Sequence, residues 1–151
     1  MNKTVLLPVI LALLFTYCSK NWKEKSDTNS TVFDIQKSEI LIPSNNDLIK
    51  IDLTDGQASA TIQKNENQTV YIEFSSKGSK KLSAHLSSPD SLANIRFSQI
   101  FMPDGKMDGP WGRDMEYDLP MDGTYKISVH ENMMAGDPWA GVFKVEVKLE
   151  K

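Results

Sequence analysis

Cysteine, histidine and long apolar runs are all scarce in this chain. One cysteine and two histidines among 151 residues are too few for a disulfide framework or for a tetrahedral zinc site of three or four ligands. The sequence has no Gly-x-Ser-x-Gly elbow for a nucleophilic serine, and "HENMM" starts like the zinc motif His-Glu-x-x-His but has no second histidine. These absences predict a protein that is not an enzyme and that holds no cofactor.

An excess of positive charge is also missing. Lys and Arg number 17 against 20 Asp and Glu, which gives a net charge of −3. The lysines are interleaved with acids along the chain and do not form the basic stripe that phosphate binding requires. The composition therefore excludes nucleic acid as an expected partner.

The N-terminus carries the longest apolar run. In "MNKTVLLPVILALLFTYC" a basic start at Lys3 precedes an apolar run from Val5 to Tyr17, and the single cysteine, Cys18, follows. This is the layout of a secretory signal, and the run is shorter than the about 20 residues that cross a bilayer. Its ending resembles the lipobox of bacterial lipoproteins, although Phe15 and Tyr17 stand where lipoboxes usually carry leucine and a small residue. The resemblance implies that Cys18 is acylated; the alternative is a plain signal peptide with an incidental cysteine.

Three segments follow from this assignment. Residues 1–17 are predicted to be a lipoprotein signal peptide, and residues 18–39 a polar, mixed-charge tether that carries the lipid. Residues 40–151 are predicted to form the folded domain. The lipid on Cys18 would anchor the protein to a membrane of the bacterial cell envelope. Ser19, at the position where an inner-membrane retention signal has Asp, predicts the outer membrane.

The body of the chain has the period-two pattern of strands with one buried face. In the final segment four charged residues alternate with four apolar ones, namely Phe143, Val145, Val147 and Leu149. Turn signals such as Asp55-Gly56 and Asp122-Gly123 separate the apolar runs, and no window keeps a helical period. About eight strands spaced in this way predict an all-β fold, an antiparallel β-sandwich of the jelly-roll type.

Several segments follow one another in the order of a bacterial β-sandwich pattern. They are "VYIEF", "KLSAHL", "LPMDGTYKISV" and the final "FKVEVKLE". From Ala58 to Glu150 the chain resembles pre-peptidase C-terminal domains and the periplasmic inhibitors of g-type lysozyme, which share this layout. The resemblance implies a β-sandwich and, as one alternative function, inhibition of a cell-wall lysozyme.

One loop departs from that pattern. After the strand that contains "DGTYKISV", the lysozyme inhibitors carry a loop rich in arginine and lysine that helps to engage the enzyme. The corresponding loop here, "HENMMAGDPWAG", contains two acids and neither lysine nor arginine. No inhibitor residue can be transferred to this loop, so inhibition rests on the resemblance of the domain alone.

A near-repeat supplies the predicted binding surface. "DGPWG" at 108–112 and "GDPWAG" at 136–141 each place Trp directly after Pro, in loops between predicted strands. Such loops can meet at one end of a sandwich, and Trp, Met and Arg are enriched in recognition surfaces. The predicted surface has an apolar centre and a charged rim, and its members are Met107, Asp108, Trp111, Arg113, Asp114, Glu131, Met133, Met134, Asp137 and Trp139.

Two interpretations of this surface stay open. The tryptophans either plug the end of the sandwich and are buried, or contact a ligand and are exposed. In the second case the leading hypothesis is a lipid-anchored cell-envelope protein that binds a protein or a glycan without catalysis. The other alternative is a carbohydrate-binding accessory module in which Trp111 and Trp139 stack on sugar rings. Asp104, Asp108 and Asp114 could surround calcium, but they lack the EF-hand spacing, and turn formation is the competing interpretation.

Overall fold

The structure is a computed structural model that describes residues 39–43 and 47–151. Over these residues every regular element is a strand: β1 (Ile40–Leu41), β2 (Leu48–Lys50), β3 (Gln57–Lys64), β4 (Val70–Ser75), β5 (Lys81–Ser87), β6 (Arg96–Phe101), β7 (Met107–Asp108), β8 (Asp114–Asp118), β9 (Thr124–His130) and β10 (Gly141–Glu150). No helix in this part of the chain is long and apolar enough to cross a membrane. The predicted signal peptide, the lipid site at Cys18 and almost all of the tether lie outside the described residues.

The ten strands form two five-stranded sheets. Sheet A has the order β1-β3-β10-β5-β8, and sheet B has the order β2-β4-β9-β6-β7. β1 pairs parallel with β3, and β2 pairs parallel with β4, whereas the other pairs are antiparallel. The predicted all-β sandwich is confirmed, with ten strands in place of about eight and with two parallel pairs in a sandwich that was expected to be antiparallel. The two parallel pairs lie at sheet edges. Between the two strands of each pair, the chain forms one strand of the other sheet.

Alternation along each strand builds the core between the sheets. In β10 the apolar side chains are buried and the charged ones between them are exposed. A single buried cluster draws members from both sheets, among them Ile62, Leu86 and Phe143 from sheet A and Ile72, Phe97 and Ile127 from sheet B. Tyr125 lies fully inside this cluster because its hydroxyl donates to the carbonyl of Met121 at 2.8 Å. The sheets therefore pack face to face.

Four connections gather at one end of the sandwich, here called the loop end. The register pairs the last residue of β9, His130, with the first of β6, Arg96, and pairs Gly141 of β10 with Lys64 at the end of β3. The loop end consequently contains residues 65–69, 88–95, 109–113 and 131–140. The two predicted tryptophan loops are thus neighbours of the same connection, 88–95.

Candidate functional site

A buried ion pair closes the loop end from inside. Lys64 and Glu131 form a salt bridge in which neither side chain is exposed. The same carboxylate oxygen of Glu131 accepts hydrogen bonds from the backbone N–H groups of Asn67 at 3.0 Å and Trp139 at 3.2 Å. The ammonium of Lys64 also donates to the carbonyl of Trp139 at 3.2 Å. The pair therefore ties β3, the 65–69 turn and the 131–140 loop together.

The second carboxylate oxygen of Glu131 faces a histidine. Oε2 is buried and receives no hydrogen bond from the described residues, but Nε2 of His130 lies 3.3 Å away. Nδ1 of His130 is 2.9 Å from the carbonyl oxygen of Glu131, and because a carbonyl only accepts, Nδ1 must donate. The bond to the backbone carbonyl thus holds the imidazole beside Oε2.

Opposing effects set the protonation of Glu131. Burial disfavours the carboxylate and by itself raises the pKa, whereas the hydrogen bonds from Lys64 and from the N–H of Trp139, with the positive charge of Lys64, lower it. The bonds outweigh the burial, and the pKa of Glu131 lies below its usual value. The carboxylate is therefore charged, and its Oε1 holds the loop from inside the protein, so it does not serve as a charge on the surface.

Trp139 is a lid. Its side chain belongs to the core cluster and is 8% exposed, and its indole Nε1 donates to Oδ2 of Asp90 at 2.7 Å. That bond is the main reason why the pKa of Asp90 lies below its usual value. Gly141 allows the ring to lie flat against the start of β10, because a Cβ at that position would collide with the six-membered ring of Trp139. A buried ring is what the packing interpretation predicts for Trp139.

Trp111 lies in a different environment. Its N–H donates to the carbonyl of Phe97 at 3.0 Å, which fixes the 109–113 connection to the start of β6. The half-buried indole packs against the core and meets Tyr117 edge to face, with ring centroids 5.8 Å apart. The two tryptophans therefore have separate partners, Tyr117 for one and Asp90 for the other. The single patch that the near-repeat suggested stays a prediction.

The exposed apolar side chains of the loop end are methionines and a leucine. Met133 and Met134 are 53% and 98% exposed, and Leu92, on the facing connection, is 86% exposed. Between the connections a groove of about 400 Å³ is lined by both, from Ser91 to Asn94 and from Ala135 to Trp139. The exposed apolar surface of Leu92, Met133 and Met134 shares its two methionines with the predicted surface.

Asn94 holds the two connections together. Its amide nitrogen donates to the carbonyls of Asn132 at 3.3 Å and Asp137 at 2.9 Å, and its oxygen accepts from the N–H of Asn132 at 3.1 Å. Arg113 adds the third connection by donating from Nη2 to the carbonyl of Ala93. The loop end is therefore a braced assembly in which side chains satisfy backbone groups that no sheet ladder reaches.

The remaining predicted residues lie apart. Met107 and Asp108 form β7 and pair with Phe101 and Ile100, at the far end of β6 from the loop end. Asp114 begins β8 on the outer face of sheet A, where its carboxylate lies 2.6 Å from Nδ1 of His85. The predicted surface is therefore divided because the β7 hairpin places Met107 away from Met133 and Met134.

The three aspartates considered for calcium each have another partner. Asp104 bonds to Lys106, Asp108 accepts from the N–H of Gly109, and Asp114 contacts His85. In residues 39–43 and 47–151 no group of three or more His, Cys, Asp or Glu side chains could hold a metal ion. The contacts of Asp104 and Asp108 are those of turn-forming aspartates.

Four residues in or next to the loop end were missed by the sequence reasoning: Lys64, Asp90, Leu92 and Asn94. Leu92 carried a usable signal, because an apolar residue within the turn-rich "SSPDSLAN" is as unexpected as the methionines in "NMMAGD". Lys64 carried none, since its partner Glu131 is 67 positions away.

Neither a protein-family model nor a curated protein matches the sequence. Among solved structures, the chain is similar to PliG of Aeromonas hydrophila, a periplasmic lysozyme inhibitor of g-type lysozyme, with a TM-score of 0.54 and 15% identity over 74% of this chain and 100% of that one. PliG of Salmonella Typhimurium gives 0.45 and 14% over 67% and 98%, and a mutant of the Escherichia coli inhibitor gives 0.44 and 12% over 68% and 97%. The first likeness shows a shared fold. In fold, it agrees with the resemblance of the domain to these inhibitors, and it gives no support to the resemblance to pre-peptidase C-terminal domains.

Proposed function

We propose that this protein acts in the cell envelope by binding a protein partner through its loop end, and that the partner is a cell-wall lysozyme, which it inhibits. The observation that carries the proposal is the exposure of Met133 and Met134 on a loop whose backbone is held by Asn94 and Glu131. A monomer gains nothing from apolar side chains kept in water. The fold shared with the A. hydrophila inhibitor of g-type lysozyme supports the choice of partner.

A protein partner fits the loop end better than a glycan does. Sugar binding by stacking needs an open aromatic face, but Trp139 is buried and Trp111 is half-buried against Tyr117. Methionine side chains adapt their shape to an apolar protein surface. The carbohydrate-binding alternative predicts glycan binding that is lost with Trp111→Ala, and glycan-array data on the purified protein test it.

The inhibition experiment is a cell-wall lysis assay. The purified protein is added at micromolar concentration to g-type, c-type and i-type lysozymes, and the fall in turbidity of a cell-wall suspension is followed. We expect the rate of lysis to fall for at least one class. Unchanged lysis by all three would refute inhibition, and Met107→Ser is the matched variant that should inhibit as well as the parent.

The same proposal holds that the protein has no catalytic activity of its own. The closest contact between a histidine and an exposed carboxylate is that of His85 and Asp114, on the outer face of sheet A. Cell-wall or ester hydrolysis by the purified protein that disappears with His85→Ala would contradict a purely binding function.

Acylation of Cys18 and attachment to the outer membrane belong to the proposal as well. They rest on the signal-like run that ends at Cys18 and on Ser19 after it. Treatment with globomycin, or the change Cys18→Ala, should leave an unprocessed or unlipidated protein. If the same soluble mature chain forms in both cases and in the parent, the anchor is refuted.

A further inference from the structure

Three apolar side chains at the loop end lie outside the buried core. Leu92, Met133 and Met134 are all exposed, Leu92 and Met134 almost completely, and they come from two connections that Asn94 ties together. Turn residues of either connection could be polar without changing the core. Their apolar character is therefore a property of the protein surface and is not explained by packing of the core.

The backbone beneath these side chains is fixed before any partner arrives. The N–H of Leu92 donates to Oδ1 of Asp90 at 2.9 Å, and the other oxygen of Asp90 is held by the indole of Trp139. The N–H of Met134 donates to Oδ1 of Asn132 at 3.3 Å. Binding then orders only side chains, which keeps the entropic penalty of association low.

The free charge around this surface is negative. Glu66, Asp90 and Asp137 are exposed at the loop end. Of the basic residues nearby, Lys64 is buried against Glu131 and Arg113 donates to the carbonyl of Ala93, which leaves the half-buried Arg96 against three exposed acids. An acidic rim around an apolar centre is complementary to a basic rim around an apolar depression.

We propose that Leu92, Met133 and Met134 form the contact surface for the lysozyme, and that they enter an apolar depression of that enzyme bordered by lysine and arginine side chains. This inference rests on the proposed function and names the residues and the partner chemistry of the same site. Leu92 and Met134 occupy the centre of the contact, and Asp137 with Glu66 face the basic border.

The apolar part is tested by replacing its two most exposed side chains, Leu92 and Met134, one at a time. The resulting proteins are called the tip variants. In the full protein, Leu92→Ser and Met134→Ser are each compared with Met107→Ser, which removes an exposed methionine from β7. The inhibition constant for a g-type lysozyme should rise about tenfold or more for each tip variant, as for residues at the centre of an interface. Met107→Ser should leave it unchanged, and equal melting temperatures should show that all three variants are folded.

The charged part is tested by salt and by one carboxylate. Raising NaCl from about 0.05 to about 0.5 M should weaken inhibition, since exposed charges are screened over that range. Asp137→Asn should weaken inhibition at low salt and reduce the salt dependence. Glu116→Gln, on the outer face of sheet A, is the matched control and should do neither.

The outcomes separate the two proposals. If the parent protein inhibits and both tip variants inhibit equally well, the contact surface is refuted and the proposed function stands. If inhibition by the parent strengthens with salt, the basic border is refuted. If the parent neither binds nor inhibits any lysozyme class, the proposed function fails and this assignment of the surface fails with it.

Discussion

The carboxylate of Glu131 accepts a hydrogen bond from the backbone N–H of Trp139 at 3.2 Å, so a buried charge and a buried indole fix the same loop. Eight positions separate the two residues in sequence, and the segment between them carries Met133 and Met134 outward. The apolar residues of this loop therefore fall into two groups. Trp139 covers the core, while the methionines are exposed to solvent.

Removing the cation of the buried pair should destabilise the fold strongly. Lys64→Met leaves the carboxylate of Glu131 buried without its cation, and the free energy of unfolding should fall by about 3–5 kcal/mol. Urea denaturation measures it. Adding Glu131→Gln to the same chain should recover part of the loss, because no buried charge then remains.

The control for this prediction is an exposed pair. Lys144→Met removes the partner of Glu146 from a salt bridge whose side chains are 45% and 50% exposed, and the loss should be only about 0–1 kcal/mol. Equal losses for Lys64→Met and Lys144→Met would contradict a structural role for the buried pair.

The two tryptophans should differ in their contribution to stability. Trp139→Ala removes a buried ring and should lower the free energy of unfolding by about 3–5 kcal/mol. Trp111→Ala should lower it by less, because its indole is only half-buried. The denaturant midpoints of both variants beside the parent measure the difference, and the reverse order would show that the Tyr117 contact matters more than the lid.

Acid should weaken the loop end. The pKa of Glu131 is lowered in the folded protein, so the stabilisation it provides is complete above the carboxyl pKa of the unfolded chain, about 4.3, and is lost as the pH falls through the folded value. The free energy of unfolding should therefore decline below about pH 4.5. Glu131→Gln should decline less steeply, and parallel curves for the parent and this variant would refute the linkage.

The exposed methionines should be dispensable for folding. Met133→Ser and Met134→Ser should change the free energy of unfolding by no more than about 0.5 kcal/mol, as surface substitutions do. Thermal and urea denaturation measure the change. A loss comparable with that of Trp139→Ala would assign the methionines to packing and would remove them from the proposed contact surface.

Gly141 should resist even a methyl group. A Cβ at this position would collide with the ring of Trp139, so Gly141→Ala must displace the lid and should lower stability by more than about 1 kcal/mol. Gly112→Ala is the matched control, since a Cβ there meets nothing within 4 Å. A neutral Gly141→Ala would mean that the indole has room to move, and the fluorescence of Trp139 would show whether it does.

The strands of the sandwich were predictable from the sequence because their signal is local. In β10 each buried residue is followed by an exposed one, from Phe143 to Glu150, and the pleat of a strand imposes that period whatever the partner strand is. The turns at Asp55-Gly56 and Asp122-Gly123 were readable for the same reason. The parallel pairing of β1 with β3 and of β2 with β4 was not, because it depends on which sheet edge is open.

The strand register and partners that are distant in sequence decided which residues belong to the site. The sequence placed Met107 beside Met134 by composition, but the pairing of β7 with Phe101 puts it at the other end of β6. Lys64 ends β3 and is of a residue type that is rarely buried. It is buried because Glu131, 67 positions later, supplies its counter-charge.

The sequence by itself determined that the 131–140 loop carries apolar residues which a turn does not need. Only the tertiary structure decided which of them are inside. Trp139 is buried because Asp90 and Glu131, from separate connections, satisfy its polar groups, and a polar group enters a core only when it has partners. Met134 is 98% exposed because no other described segment packs over its side chain, so burial depends on what the rest of the chain brings to a position and not on the residue alone.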